Sequence, residues 1–162
     1  MVDSESYARG VIERLRDAGA GYEIEERAGT PYVYKIHNSL FRRMLYVFTI
    51  SQVDGKAQTP ETFSAVVGQS YKLGADQLAK VFPGGIASML LVSVLVSETE
   101  FPKEISDRTR KHTNRTSHIH EFPTLVRVGD SRVSVQHRTA GQFWERFAYK
   151  KLCNIIDGVL EQ

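Results

Sequence analysis

Two apolar runs constrain the fold of this chain more than any other feature. Residues 44–50 (MLYVFTI) and 89–96 (MLLVSVLV) are apolar except for Thr49 and Ser93. A strand that is apolar on both of its faces must be covered on both faces, which is typical of the central strands of an α/β sheet. Neither run is long enough to span a bilayer, so no membrane-spanning segment is expected.

The segments around these runs supply the remaining strands and helices. Short segments bounded by turn residues predict four more strands, at 22–27, 31–37, 122–128 and 132–137. Helical spacing of apolar residues, with capping residues, predicts four helices, at 4–19, 59–82, 99–111 and 140–160, and Gly74 is expected to interrupt the second. The resulting order is α-β-β-β-α-β-α-β-β-α. We expect a single domain over residues 1–162, with a mixed central sheet, an N-terminal antiparallel meander and helices on both faces.

Two details of this α/β prediction concern packing. The helix between the strands at 89–96 and 122–128 implies a parallel, right-handed crossover. The last helix carries an apolar stripe with helical spacing: Trp144, Ala148, Leu152, Ile155 and Val159. A stripe of this width is typical of a helix that covers a sheet, so we expect the last helix to belong to the core.

The net charge and the cysteine content limit the partners and the compartment that can be expected for this chain. The formal net charge of +2 neither requires nor excludes a nucleic-acid partner. The single cysteine, Cys153, cannot form an internal disulfide, which suits a reducing compartment. The first ten residues include acidic side chains and no apolar core, unlike a signal peptide. We expect a cytoplasmic protein with no membrane partner, and the composition leaves a monomer and a homo-oligomer both open.

The predicted element order resembles the restriction-endonuclease-like fold, whose core is a helix, a three-strand meander, a helix and a further strand. Families of this fold that cut nucleic acid carry an Asp and then a (Asp/Glu)-x-Lys motif on the second and third strands, which hold a divalent metal. Here the second strand has Lys35 but no acid, and the third strand has no carboxylate. Glu23 and Glu25 lie one strand too early. The resemblance therefore implies a binding or structural descendant without the nuclease site.

Histidines are concentrated in the last third of the chain. His118 and His120 are two residues apart, so on an extended segment they point to the same side, as two metal ligands do. His137 ends a predicted strand nearby and completes a candidate divalent-metal site. The residues before Phe122 have the composition of a loop, and ordinary surface histidines are the alternative interpretation.

A basic segment at 103–115 is the second candidate site. Four of its cations could contact phosphates: Arg108, Arg110, Lys111 and Arg115. Glu104 and Asp107 lie among them, and a solvated helix face explains the same pattern. The segment lacks the aromatic residues that single-strand binders place between their cations.

No nucleophile, base or phosphate-loop signature occurs in the sequence, so no catalytic residue is assigned. The leading prediction is a non-enzymatic binding or accessory domain without a cofactor. One alternative is a metal-dependent hydrolase or nuclease-like enzyme that uses Glu23, Glu25, Lys35 or the histidines. The other alternative is a nucleic-acid-associated module that uses the basic segment at 103–115.

Overall fold

The structure, a computed structural model, describes residues 3–17, 23–27, 30–39, 42–53, 58–84, 87–112, 118–129, 133–137, 150, 154 and 156–160. Three complete helices are α1 (Ser4–Asp17), α2 (Pro60–Val81) and α3 (Lys103–Lys111). The six strands are β1 (Glu23–Arg27), β2 (Thr30–Ser39), β3 (Arg42–Gln52), β4 (Ala87–Ser97), β5 (Ile119–Val128) and β6 (Val133–His137). Residues 156–160, the C-terminal helical segment, are also helical.

The six strands form one mixed sheet whose spatial order follows the chain order. β1, β2 and β3 are antiparallel neighbours, β3, β4 and β5 are parallel, and β6 returns antiparallel to β5. Each parallel step is bridged by a helix, first α2 and then α3. The predicted α/β class, the N-terminal meander and the parallel pairing of the strands around α3 are therefore confirmed.

Three element boundaries differ from the prediction. The predicted third helix begins at Lys103 and not at Thr99, because Pro102 takes the extended conformation at its N-cap. The residues before Phe122 were expected to be a loop, but Ile119 already pairs with β4. α2 runs without interruption through Gly74.

Helices cover both faces of the sheet. On one face, α1 and the C-terminal helical segment enclose a core that includes Val11, Leu15, Phe48, Val92 and Ile156. On the other face, α2 lies over β3, β4 and β5, and α3 lies over β5 and β6. β4 is buried along its whole length, as its mostly apolar sequence predicts.

Polar residues divide the core beneath α2 into two apolar clusters. One cluster contains Leu45 and Met89, and the other contains Phe63 and Leu125. Between them lie four buried polar side chains, the polar seam: Thr49, Ser70, Ser93 and Glu121. The Thr49 hydroxyl donates to Ser70 Oγ across 2.7 Å, and the Ser93 hydroxyl donates to Glu121 Oε1 across 3.3 Å. Each polar group is satisfied, as burial requires.

The two ends of the described chain meet on the α1 face. The Tyr7 hydroxyl donates to the backbone carbonyl of Leu160 across 2.5 Å, and Arg14 Nε donates to the carbonyl of Val159 across 2.7 Å. Val159 is buried, as predicted for the last helix. Trp144, Ala148, Leu152 and Ile155, the other predicted residues of its stripe, lie outside the described residues, as does Cys153.

No helix among the described residues has the length and apolar character needed to cross a membrane.

Candidate ligand-binding cleft

A cleft of about 920 Å³ lies between α2 and α3, above β5. Its residues come from three elements and the first residue after α3: Phe63, Ser64, Val67, Gly68, Tyr71, Lys103, Glu104, Asp107, Arg108, Lys111, His112 and Glu121. A volume of several hundred Å³ is typical of sites for small organic molecules.

The α2 wall of the cleft is mostly apolar. Val67, Gly68 and Tyr71 are three and four residues apart, so they share one face of the helix with Ser64. Phe63 lies at the amino-terminal end of the same wall. A Cβ atom placed on Gly68 would meet no heavy atom within 4 Å. The missing side chain therefore leaves open space at the centre of this wall.

The α3 wall is charged, and most of its charges are paired. Lys103 Nζ lies 3.2 Å from Asp107 Oδ2, and an Arg108 terminal nitrogen lies 3.3 Å from Glu104 Oε1. Both pairs span four residues on an exposed helix face, where such pairs stabilise by a few tenths of a kcal/mol, roughly. Within the part of the chain that the structure describes, Lys111 forms no ion pair. It is therefore the surplus positive charge of the cleft.

A buried carboxylate and a histidine form the floor of the cleft. Glu121 has a side-chain exposure of 1 %, and its Oε2 lies 3.1 Å from His112 Nε2. The other carboxylate oxygen accepts the Ser93 hydroxyl. His112 follows the last turn of α3, is 22 % exposed and contacts the Phe63 ring edge-on at a centroid distance of 6.5 Å. Because a buried carboxylate is costly without partners, these two hydrogen bonds explain how Glu121 is accommodated.

The structure separates the four predicted phosphate-contacting cations. Arg108 and Lys111 line the cleft, and Arg110 does not. Successive residues of a helix turn by about 100°, so Arg110 projects away from the side that Arg108 and Lys111 share. Arg115 lies outside the described residues. The three cations that the structure describes therefore do not lie on one face, as a nucleic-acid surface that uses all four would require.

The predicted metal ligands His118 and His120 lie away from the cleft. His120 is on the opposite face of β5 from Glu121, because side chains alternate along a strand. His118 is exposed just before β5. The backbone of His137 pairs with Thr124, four residues along β5 from His120, and its side chain lies outside the description. No group of three or more His, Cys, Asp or Glu side chains arranged for a metal occurs among the described residues.

The nuclease-like alternative uses Glu23, Glu25, Lys35 or the histidines, and the sheet separates Lys35 from the two carboxylates. Glu23 pairs with Tyr34 and Glu25 with Tyr32, so both carboxylates lie on the α2 face. Lys35 alternates with these tyrosines and lies on the other face. The tyrosine hydroxyls donate to the two carboxylates, and Lys80 Nζ lies 3.3 Å from Glu25 Oε1. The Tyr32 hydrogen bond contributes most to lowering the pKa of Glu25. These contacts make a structural network on the sheet.

His112 and Glu121 are the site residues that the sequence prediction missed. Both belong to the histidine-rich last third of the chain, but the metal hypothesis used His118, His120 and His137 instead. The signal that could have found Glu121 is a carboxylate inside a mostly apolar strand, IHEFPTLV. Recognising it required β5 to begin before Phe122.

Comparisons of this chain with models of protein families, with curated proteins and with solved structures find no match.

Proposed function

We propose that this chain is a binding domain for a small amphiphilic anion, held in the cleft between α2 and α3. The observation that carries the proposal is the contrast between the two walls. One wall offers Phe63, Val67 and Tyr71 around open space, and the other offers Lys111 with no ion-pair partner among the described residues. A ligand with an apolar body and one carboxylate matches both walls.

The charge balance of the cleft supports an anion with a single charge. Glu104 and Asp107 are paired with Arg108 and Lys103, and Glu121 is buried with a hydrogen-bond partner on each of its oxygens. The exposed charge of the cleft that has no ion-pair partner among the described residues is therefore that of Lys111, which favours a monoanion. A polyanion such as nucleic acid needs several unpaired cations on one surface, and this wall offers one.

The element order supports a further part of this proposal, namely that the chain has a restriction-endonuclease-like fold without nuclease activity. α1, the β1–β2–β3 meander, α2 and β4 follow the order of that core. The separation of Glu23 and Glu25 from Lys35 favours a binding role over metal-dependent cleavage. The proposed ligand site lies elsewhere, beneath α2 and α3.

The test is a binding titration with two amphiphilic anions, octanoate and 1-anilinonaphthalene-8-sulfonate. We expect saturable binding at one site per chain, followed by calorimetry for the first probe and by fluorescence for the second. Gly68→Phe should abolish binding by filling the cleft. Gly158→Phe is the matched control, because Gly158 is also an exposed helical glycine with open space around its Cβ position, far from the cleft.

Charge recognition is tested separately. Lys111→Gln removes a charge-assisted contact, which is worth about 1.5–3 kcal/mol, so octanoate affinity should fall at least tenfold, roughly. Arg110→Gln removes the same charge from the same helix outside the cleft and should leave the affinity within about twofold. If Lys111→Gln and Arg110→Gln weaken binding equally, Lys111 makes no specific contact with the anion. If either probe fails to bind to the parent protein, the proposed function is wrong.

A further inference from the structure

We propose that His112 and Glu121 form a general-base dyad that hydrolyses a carboxylic ester bound in the cleft. The inference rests on the proposed function, because the ester must occupy the site that binds amphiphilic carboxylates. The carboxylate ligand is then the product of the reaction, and Lys111 contacts the oxygen that becomes anionic.

Glu121 is held in one position. It projects from β5 toward the helices, its side chain is 1 % exposed, and each of its oxygens has a hydrogen-bond partner. Ser93, from the neighbouring strand β4, contacts Oε1, and His112, from the end of α3, contacts Oε2. A carboxylate fixed between two strands and a helix can orient an imidazole ring without moving itself.

The hydrogen bond to Glu121 determines which nitrogen of His112 is basic. An ionised carboxylate only accepts hydrogen bonds, so neutral His112 carries its proton on Nε2 and keeps a lone pair on Nδ1. No residue in the described part of the chain forms a hydrogen bond with Nδ1. The ring lines the cleft and is partly exposed. Nδ1 is therefore the nitrogen available to water in the cleft.

The reaction needs only water as a co-reactant. His112 Nδ1 takes a proton from a water molecule while the water oxygen bonds to the acyl carbon, and the carbonyl electron pair moves to the carbonyl oxygen. When the tetrahedral intermediate collapses, the bond between the acyl carbon and the alkoxy oxygen breaks. The proton on Nδ1 then passes to the departing oxygen, which leaves as an alcohol. The new carboxylic acid loses its proton to solvent. The imidazole of His112 is then neutral again and can act in the next turnover.

Charges near the dyad favour this sequence. Glu121 stabilises the imidazolium that forms when Nδ1 accepts a proton, as the carboxylate of a catalytic triad does. Lys111 is one residue before His112 and lines the same cleft, where it can stabilise the developing oxyanion. Glu104 and Asp107, the other carboxylates of the cleft, are paired with cations and so oppose the oxyanion less.

The experiment uses the full chain with the 4-nitrophenyl esters of butyrate and octanoate, and it measures 4-nitrophenolate release. His112→Gln should lower kcat at least about 100-fold, the usual contribution of a general base. His118→Gln, outside the cleft, is the matched control and should leave kcat unchanged. Because water attacks directly, mass spectrometry should detect no acylated protein.

Glu121 is a positioning residue, and a comparison of kcat with the unfolding midpoint tests that role. Glu121→Gln keeps the size of the side chain but removes the charge that stabilises the imidazolium, so kcat should fall at least about tenfold. Ser93→Ala removes the other hydrogen bond to Glu121 and leaves its contact with His112, so kcat should change much less than in Glu121→Gln. A purely structural carboxylate would lower the unfolding midpoint in both variants without lowering kcat in the folded protein.

The outcomes separate the two proposals. Equal turnover by the parent and His112→Gln, with octanoate still bound, would overturn the dyad and leave the binding function standing. Absence of octanoate binding would overturn both. If His112→Gln does not melt cooperatively, Gly68→Phe gives the test instead: it leaves the dyad intact but closes the cleft, so turnover must fall together with binding.

Discussion

At the scale of single residues, two glycines of α2 occupy opposite environments. Gly68 faces the open cleft, whereas a Cβ atom at Gly74 would lie 2.7 Å from Cε of the buried Met89. Gly68 therefore costs helix stability and leaves the cleft open. Gly74 costs the same helix stability and allows α2 to approach β4 closely.

These environments predict opposite effects of the same substitution. Gly68→Ala should stabilise the protein by about 0.5–1 kcal/mol, because alanine is the better helix former and nothing obstructs its methyl group. Gly74→Ala should give a smaller gain or a loss, because Met89 must move within a packed core. Urea unfolding of both variants measures the difference. Equal gains would mean that α2 does not press on β4 at Gly74.

A second residue-scale prediction concerns Tyr7. Burial is the main cause that raises the pKa of its hydroxyl to about 12, against an opposing effect of Arg14. Between pH 10 and 12 the unfolded chain loses this proton while the folded chain keeps it, so stability falls as the pH rises. Burial and the carboxylates of Glu23 and Glu25 raise the pKa of Tyr34 as well, which adds to the same alkaline loss.

Tyr7→Phe isolates the contribution of Tyr7. At neutral pH the variant should be less stable by about 1 kcal/mol, because the hydrogen bond to Leu160 is lost. Its stability should then fall less steeply than that of the parent above about pH 10. The measurement is the urea midpoint at several pH values. Parallel curves for the two proteins would show that Tyr7 titrates alike in the folded and unfolded chains.

At the scale of elements, the beginning of α2 is set by one side chain. The hydroxyl of Thr59 accepts a hydrogen bond from the backbone nitrogen of Thr62 across 3.2 Å, and Pro60 follows at the first helical position. Such a cap satisfies a backbone donor that the helix leaves free. The sequence Thr-Pro-Glu predicts this helix start, and the structure confirms it.

Removal of this cap should be measurable. Thr59→Ala should lower the free energy of unfolding by about 1 kcal/mol, the usual cost of deleting an N-cap hydroxyl. Thr59→Ser keeps the hydroxyl and should retain most of the stability. Thermal melting of the three proteins side by side gives the answer. A serine variant as unstable as the alanine variant would assign the loss to the methyl group of Thr59.

Element types could be predicted from the sequence because they depend on local patterns. The apolar runs identify β3 and β4, and the capping residues identify α2. The pairing of His112 with Glu121 depends instead on which face of β5 carries Glu121. Both faces of that strand are apolar: Phe122 and Val126 belong to the α1 side, and Leu125 belongs to the α2 side. The alternation alone therefore does not show which helices a buried carboxylate would meet.

At the scale of the whole molecule, the first and last described helical regions share one core. Ile156 is fully buried between α1 and the sheet, and Val159 and Leu160 are buried beside it. Their backbone carbonyls accept hydrogen bonds from Tyr7 and Arg14. The C-terminal helical segment is thus part of the structure that covers one face of the sheet.

This arrangement predicts a large cost for truncating a side chain there. Ile156→Ala should destabilise the protein by about 2–5 kcal/mol, the range for deleting a buried aliphatic side chain that leaves a cavity. Asn154→Ala, at an exposed helical position just before this segment, should change stability by less than about 0.5 kcal/mol. Chemical denaturation of the two variants tests the contrast. Similar small effects would mean that the segment docks loosely on a core that is complete without it.

Deletion of residues 140–162 should destabilise the protein further than Ile156→Ala does. The shortened chain should be insoluble or unfolded. Soluble expression and a cooperative thermal melt near the temperature of the full chain would contradict it.

The sheet and the core on the α1 face are expected to form at different stages of folding. Because every strand lies beside its neighbour in the chain, pairing can spread from the β1–β2–β3 meander toward β6, through short loops at the hairpins and through α2 and α3 at the two parallel steps. The contact between Tyr7 and Leu160 closes a loop of 153 positions and cannot form by this route. We expect refolding in two kinetic phases: an early one that builds the strands, and a slower one in which Tyr7 and the C-terminal helical segment come together. An intermediate between the two phases would expose the apolar surface of β3 and β4 on the α1 side, so the yield of refolding should fall as the protein concentration rises.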